Sequence, residues 1–291
     1  MAPGTDIQSV RPEEAAFADI TTLSSKEPVV SITSVPATPE IPTPEAGLDH
    51  TLVLHPSLVT TDFELLRFHA AAFDQLPKAN FNTTSTKEHT TTGIETSTAN
   101  ITAKTEYSTN LISSPYNNPG HYLSLPTLPL PSLLFAKALT SLQPLTPAYA
   151  TVHYPTALNF SHVLGTLRSL LPANYIFPET TFYAVCFQSK LKPGVDHEWL
   201  YKLDYEAHRE ACESGGLLKY WFGKADMLGQ RTNLATCFWH SREHAHKGGR
   251  GPWHAKARKA GREMYEFFSF RGWAFVVKEG AVEWTCEEWE E

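Results

Sequence analysis

Apolar and polar residues take turns along most of the second half of this chain. In TFYAVCFQSKL, Phe182, Ala184, Cys186 and Gln188 fall on one side of an extended backbone and Tyr183, Val185 and Phe187 on the other, which predicts a strand largely buried on both faces. The period then changes. In DHEWLYKLDYEAHREACES, Trp199, Leu200, Leu203, Ala207 and Ala211 recur at helical spacing, Asp196 stands at the N-cap and Gly215-Gly216 end the run. Two strands follow, LLKYWFG and TNLATCFWH, joined by a hairpin turn at DMLGQ. Leu217, Lys219 and Trp221 are predicted to oppose Leu218, Tyr220 and Phe222, and Phe238 and His240 to oppose Cys237 and Trp239. Ser241 caps a short helix that Gly248-Gly249 break, and Pro252 opens another with Trp253, Ala257, Ala260 and Met264 on its apolar face. FFSFRGWAFVV is a long fourth strand.

The order β-α-β-β-α-β is that of the ferredoxin-like split βαβ unit, so the fold class predicted for residues 180–291 is α+β. Such an antiparallel sheet carries both helices on one face. The other face is left available for a partner, and a homodimer through the sheets is the expectation.

Upstream the periods are weaker. Residues 1–50 are rich in Pro, Thr, Ser and Glu with no apolar period and read as a disordered tail. Residues 51–79 hold one short helix, over about 61–75, in which Phe63, Leu66, Ala70 and Phe73 share a face. Residues 80–116 are dominated by threonine and offer little to bury, so they read as a disordered insertion. Residues 117–179 form an N-terminal α/β extension of the domain: a strand at HYLSLP, a helix at PSLLFAKALTSL with Pro131 in its first turn, a strand at YATVHY (149–154), and a helix at FSHVLGTLRSLL. In the last of these, Asn159 stands at the cap and Phe160, Val163, Leu164, Leu167 and Leu171 form the stripe.

Composition narrows the class further. The formal charge of −7, with no run of Lys and Arg longer than a pair, argues against general attraction to nucleic acid or an anionic membrane. Cys186, Cys212, Cys237 and Cys286 lie far apart and read as reduced thiols. No apolar stretch reaches the length of a membrane span and no secretory leader is recognisable, so a cytoplasmic protein is expected.

Beyond periodicity, the strings HYLSLPTLPLP, YATVHY, LDYEAHREACESGGLLKYWFG and NLATCFWHSREHA with GPWHAKA together resemble an uncharacterised fungal protein family. Its C-terminal half is similar to the dimeric α/β-barrel superfamily. The resemblance covers about 120–289 and leaves the tail and the Thr-rich insertion outside. It implies a ferredoxin-like fold and a range of activities: cofactor-independent monooxygenases, small cyclases and isomerases, haem enzymes and ligand-sensing domains.

Four constellations carry chemistry. His240-Ser241-Arg242-Glu243-His244 spells the H-x-x-E-H of inverted zinc peptidases, but Ser241 as cap leaves His240 on the strand and His244 in the first helical turn, so no metal site is assigned. Asp204 and His208, four residues apart on the first helix, are the candidate catalytic pair, a carboxylate orienting a general base; the plain alternative is a surface ion pair. Tyr220, Trp239 and His240 form a candidate aromatic pocket, the plain alternative being ordinary core packing with a satisfied polar tip. In KGGRGPWH, Arg250 and His254 beside free backbone N–H groups would bind a carboxylate or phosphate, unless the glycines merely break the helix.

The function expected from the resemblance is a small-molecule enzyme of the cofactor-independent monooxygenase or cyclase type, with no cofactor, acting on an aromatic or polyketide-like compound. A non-catalytic ligand-binding or dimerisation module is the alternative, and a haem-binding protein the second.

Overall fold

The computed structural model describes residues 109–116, 119–225 and 229–290, and the backbone alone of 78–79 and 105–106. The expected tail, the helix at 61–75, most of the threonine-rich stretch and the hairpin turn at Asp226–Leu228 lie outside the described residues.

Two short antiparallel ladders come first, β1 (Lys78–Ala79) with β2 (Thr105–Glu106) and β3 (Asn110–Ile112) with β4 (Tyr122–Ser124). Strand β3 falls inside the stretch read as a disordered insertion, and that boundary is corrected here: Leu111 and Ile112 are wholly buried. Helices α1 (Leu130–Ala138), α2 (Tyr154–Ala157) and α3 (Phe160–Ser169) follow. The main sheet comprises β5 (Thr180–Leu191), β6 (Leu217–Phe222), β7 (Thr232–Trp239), β8 (Tyr265–Val277) and β9 (Trp284–Glu288), in the order β6-β7-β5-β8-β9 and antiparallel throughout. Helix α4 (His197–Ser214) links β5 to β6, and α5 (Arg242–Gly248) with α6 (Pro252–Met264) link β7 to β8. This is the predicted βαββαβ order with a fifth strand, β9, that the sequence reading left unassigned.

The two faces of β5 separate as its alternation requires. Phe182, Ala184 and Cys186 join one core with Leu234, Phe238, Trp273 and Phe275, while Tyr183 and Val185 join another with Tyr220 and Trp239. The first core is closed by the chain's own α1 and α3. Phe135 of α1 stacks on Phe182 with ring centroids 4.2 Å apart, and Phe160 of α3 meets Phe275 at 5.0 Å and Trp284 at 5.2 Å. Such pairs contribute about 0.5–1.5 kcal/mol each beyond the area they bury. The face expected to receive a partner sheet is therefore filled, and dimerisation through it is corrected: the helical stripes of α1 and α3 were readable, but not the surface they cover.

On the opposite face, α4 packs through Ala211 near Leu217, Tyr220 and Trp239. Helix α6 meets the sheet at Tyr265 of β8 and otherwise packs on α4 instead of lying across the strands as predicted. Its Ala260 and Met264, with Trp253 and Ala257, pack on Leu200 and Leu203 of α4, and the Lys256 ammonium lies 3.8 Å above the Trp253 ring. Because α6 leans on α4, the helix-side surface of the central strands is incompletely covered: Phe187, Ala235 and Cys237 are only half-buried, and Phe270 is 38% exposed.

Four local readings change. YATVHY is not a strand; residues 147–151 turn, and Tyr154 starts α2 with Pro155 in its first turn. Gln188 fixes this loop by donating to the carbonyls of Ala150 and Val152, at 3.4 and 3.2 Å. Asn159 occupies the cap position of α3, but its side chain accepts from Gln143 N and donates to Ser141 O instead of closing the helix. A bulge between Leu217 and Lys219 reverses the start of β6, so Leu217 shares the face of Tyr220 and Leu218 that of Trp221. Trp199, expected on the apolar face of α4, is 37% exposed.

Candidate functional site

Helix α4 begins where Asp196 accepts a hydrogen bond from Trp199 N at 3.0 Å and ends at Gly215, whose φ of 82° is the left-handed geometry that suits a residue without a side chain. Between these ends the helix presents Asp204, Tyr205, His208 and Cys212 to the seam it makes with β6. The turn between β3 and β4 closes the seam from above. It is tied to the sheet edge by Tyr220 N donating to Ser113 O at 2.8 Å, and it carries Tyr116 and His121.

Asp204 and His208 are brought to one site, but they do not bond to each other. The Asp204 carboxylate accepts from the Tyr116 hydroxyl and, at 2.6 Å, from the Tyr220 hydroxyl. His208 bonds through Nδ1 to Nδ1 of His121, 2.8 Å away, with the two rings nearly parallel. The predicted carboxylate-imidazole dyad is thus replaced by a carboxylate held by two phenols and, beside it, a histidine pair. The Tyr220 ring, stacked on His208 with centroids 5.3 Å apart, stands between them. Cys212 Sγ lies 3.7 Å from both nitrogens of His208.

Burial sets the protonation states. It pushes His208 well below the ordinary histidine range, with help from neighbouring His121 and His254. His121 falls to about 4, through burial and then through the Arg209 cation. Both rings are neutral near pH 7, so one Nδ1–H donates and the other Nδ1 accepts. Burial raises Asp204 above the usual carboxylate range even though two phenols stabilise its anion, and it raises Tyr220 far above the usual phenol range, Asp204 adding to the effect. The Cys212 thiol, pushed up to about 12 by burial, stays protonated.

Exposure falls along the seam. Tyr201 is 55% exposed and Tyr205 half-buried, while Tyr116 and His208 are each 4% exposed. Tyr116 touches all of these rings, at 5.8 Å from Tyr201, 5.3 Å from Tyr205, 5.1 Å from His121 and 5.2 Å from His208. Tyr116 closes the threonine-rich stretch read as a disordered insertion, and His121 opens the predicted strand HYLSLP, where alternation alone gives it no chemical role. A usable signal was present: in NLISSPYNNPGHYL, turn-forming Asn-Asn-Pro-Gly separates two short apolar runs, which is a hairpin pattern.

The remaining sequence-predicted residues scatter. Trp239 is core, 4% exposed, its ring lying so close beneath Gly248 that a Cβ there would meet it at 2.3 Å. His240 bonds through Nδ1 to Ser132 Oγ of α1 at 2.7 Å, on the other face of the sheet, while His244 bonds to Ser241 Oγ at 2.8 Å. No group of three metal-ligating side chains occurs among the described residues. At the start of α6, the place predicted for a bound anion is taken by a carboxylate of the protein: Glu210 accepts from Trp253 N at 2.7 Å and His254 N at 3.1 Å and pairs with His254 Nδ1 at 3.0 Å. A Cβ at residue 251 would lie 2.1 Å from Glu210 Oε2, so glycine is what lets the carboxylate approach. Burial works against the Glu210 anion, yet these donors outweigh it and hold its carboxyl below the usual range. Arg250 is on the surface, 3.3 Å from His246 Nδ1, and does not join Glu210.

A family model described as PB2B2.08-like matches residues 112–288. The chain belongs to this family. The match begins upstream of the predicted 120 and takes in Tyr116, in keeping with the role of the β3–β4 turn. A curated relative, UPF0643 protein PB2B2.08 of Schizosaccharomyces pombe, is 35% identical over 176 residues, 58% of this chain and 79% of the relative. Among solved structures, a Chloroflexus aurantiacus protein described as a candidate antibiotic biosynthesis monooxygenase is 20% identical, covering 31% of this chain and 89% of its own, with a TM-score of 0.26. SnoaB, a cofactor-independent oxygenase from Streptomyces nogalater, is 9% identical, covering 31% of this chain and 89% of its own, with a TM-score of 0.27. Likenesses of that size say nothing about activity. No helix among the described residues is long and apolar enough to cross a membrane.

Proposed function

We propose that the protein is a small-molecule enzyme of the cofactor-independent monooxygenase or cyclase type, taking an aromatic or polyketide-like substrate into the seam between α4 and the sheet. One observation carries the reading: a neutral imidazole pair and a doubly phenol-bonded carboxylate sit together at the inner end of an aromatic seam that opens at Tyr201. Burying this many ionisable groups is costly and is the usual mark of a reactive site.

A planar substrate lies against Tyr205 and Phe222 and presents an acidic O–H or C–H to His208. His208 takes that proton at Nε2 and passes its Nδ1 proton to His121 along their shared hydrogen bond, so no net charge stays on the inner ring. Asp204, through Tyr220, holds the imidazole face in place. The substrate carbanion then either adds to O2, the resulting peroxide anion taking the proton back from the histidine pair and losing water to leave a carbonyl, or adds to a carbonyl of the same molecule, whose alkoxide takes that proton. General-base steps of this kind contribute about 10²–10⁴-fold in rate.

A non-catalytic ligand-binding module is the second reading, favoured by the packing of His208 at 4% exposure beneath Tyr116. Oxygen uptake and product formation with a panel of phenols and enolisable aromatic ketones separate the two. Turnover that falls about 100-fold or more in His208→Ala supports the enzyme. Compounds that bind without oxygen uptake or conversion overturn it in favour of the binding module.

A further inference from the structure

A second cleft, of about 230 Å³, opens on the opposite face of the sheet, where β8 runs past the end of β9. Its floor is a cross-strand platform: Gln188 of β5 faces Ser269 of β8, and Cys186 faces Arg271. Trp273, His153 and Tyr154 form the wall, with the His153 ring edge-on to the indole at 5.5 Å and the Tyr154 ring 5.3 Å from it. Gln188 anchors the loop above through its two carbonyl contacts, so the cleft is already shaped.

Two features give the cleft a chemical preference. The Arg271 guanidinium lines it and pairs with Glu288 at 3.2 Å on the surface, where both side chains are about half exposed, at 54% and 52%. Guanidinium presents five donors and suits a carboxylate in a two-point fork. The indole N–H of Trp273, a residue 4% exposed, finds no acceptor among the described residues. A buried donor without an acceptor is unfavourable, and an acceptor on a ligand that reached it would relieve that cost. The volume is below the ~300–1,000 Å³ common for drug-sized ligands, which limits the occupant to a small ring or less.

We infer that this cleft is a binding site for a small aromatic carboxylate, its acid group on Arg271 and its ring against Trp273 and His153. The site is separate from the Asp204 seam, with the whole sheet between them, and does not depend on the function proposed for that seam.

Calorimetric titration of the full chain with benzoate tests this, with benzyl alcohol as the neutral comparison. Saturable benzoate binding is expected, about tenfold or more weaker in Arg271→Gln, weaker again in Trp273→Phe, and unchanged in His208→Ala. Arg271 is a surface residue, so its replacement leaves the fold intact, and a thermal melt checks that it has. Absence of benzoate binding at tens of millimolar, equal binding by Arg271→Gln, equal affinity for benzyl alcohol, or loss of binding in His208→Ala instead would each overturn the assignment.

Discussion

The Nδ1 atoms of His121 and His208 lie 2.8 Å apart although the residues are 87 positions apart in the chain. One stands just before β4, inside the strand predicted at HYLSLP, and the other lies in the fourth turn of α4, so the pairing fastens the N-terminal extension to the βαββαβ core. It cannot do so once both rings are protonated, because that would place two like charges in contact without water.

That condition fixes a pH dependence. Both folded-state pKa values are depressed, His121 to about 4 and His208 well below 6.5, so the unfolded chain binds more protons than the folded one as pH falls through that range. The stabilisation is fully present above about pH 6.5 and is lost as pH falls toward 4. Urea midpoints measured between pH 7.5 and pH 4 should decline across this window, and the decline should be shallower in His121→Asn. A variant that keeps the full slope would show that other groups set it.

The phenol clamp on Asp204 is open to double-mutant analysis. Tyr220→Phe leaves a buried carboxylate with one donor fewer and should cost about 1–3 kcal/mol in denaturant unfolding; Tyr116→Phe should cost a similar amount. The two share one acceptor, so their effects should depart from additivity by more than about 0.5 kcal/mol. Strict additivity would mean that the hydroxyls do not act on the same group.

Glu210 closes the N-terminus of α6, and its removal should be felt there. Glu210→Ala is expected to cost about 0.5–2 kcal/mol, as for loss of an N-cap, and to expose the freed N–H groups of Trp253 and His254. Sulfate should then raise the melting temperature of the variant more than that of the unaltered protein. Equal sulfate effects would place the helix end elsewhere in the energetics.

The filled face of the sheet predicts that residues 180–291 alone do not behave as a free-standing ferredoxin-like domain. Removing α1–α3 would uncover Phe182, Phe238, Phe275 and Trp284, all 2% exposed or less. The fragment should bind a hydrophobic dye or precipitate, and Phe135→Ala in the full chain should cost about 3–5 kcal/mol. A soluble, well-ordered fragment would contradict this account of the core.

Much of the site's scaffold could be read from one dimension, because the signals are local. Period-two alternation separated the faces of β5, Asp196 and Gly215 bounded α4, and Ser241 capped α5; each is decided by neighbours within about a helical turn, where backbone sterics and short hydrogen bonds dominate. The order β-α-β-β-α-β then followed, and with it the antiparallel sheet. Asp204 and His208 were also placed correctly on α4.

What the chain order left undecided is which surfaces meet. Nothing in the stripes of α1 and α3 says that they cover the sheet face otherwise open to a partner, and nothing in Trp253 says that α6 leans on α4. The partners of the buried polar groups are equally non-local: Asp204 takes Tyr116 and Tyr220, His208 takes His121, and Glu210 answers the glycines before Pro252. Burial energy is non-directional and rewards any apolar surface that closes the core, so a sequence announces that a face must be covered. Only the assembled fold selects what covers it, and that choice brings the two histidines within hydrogen-bonding reach.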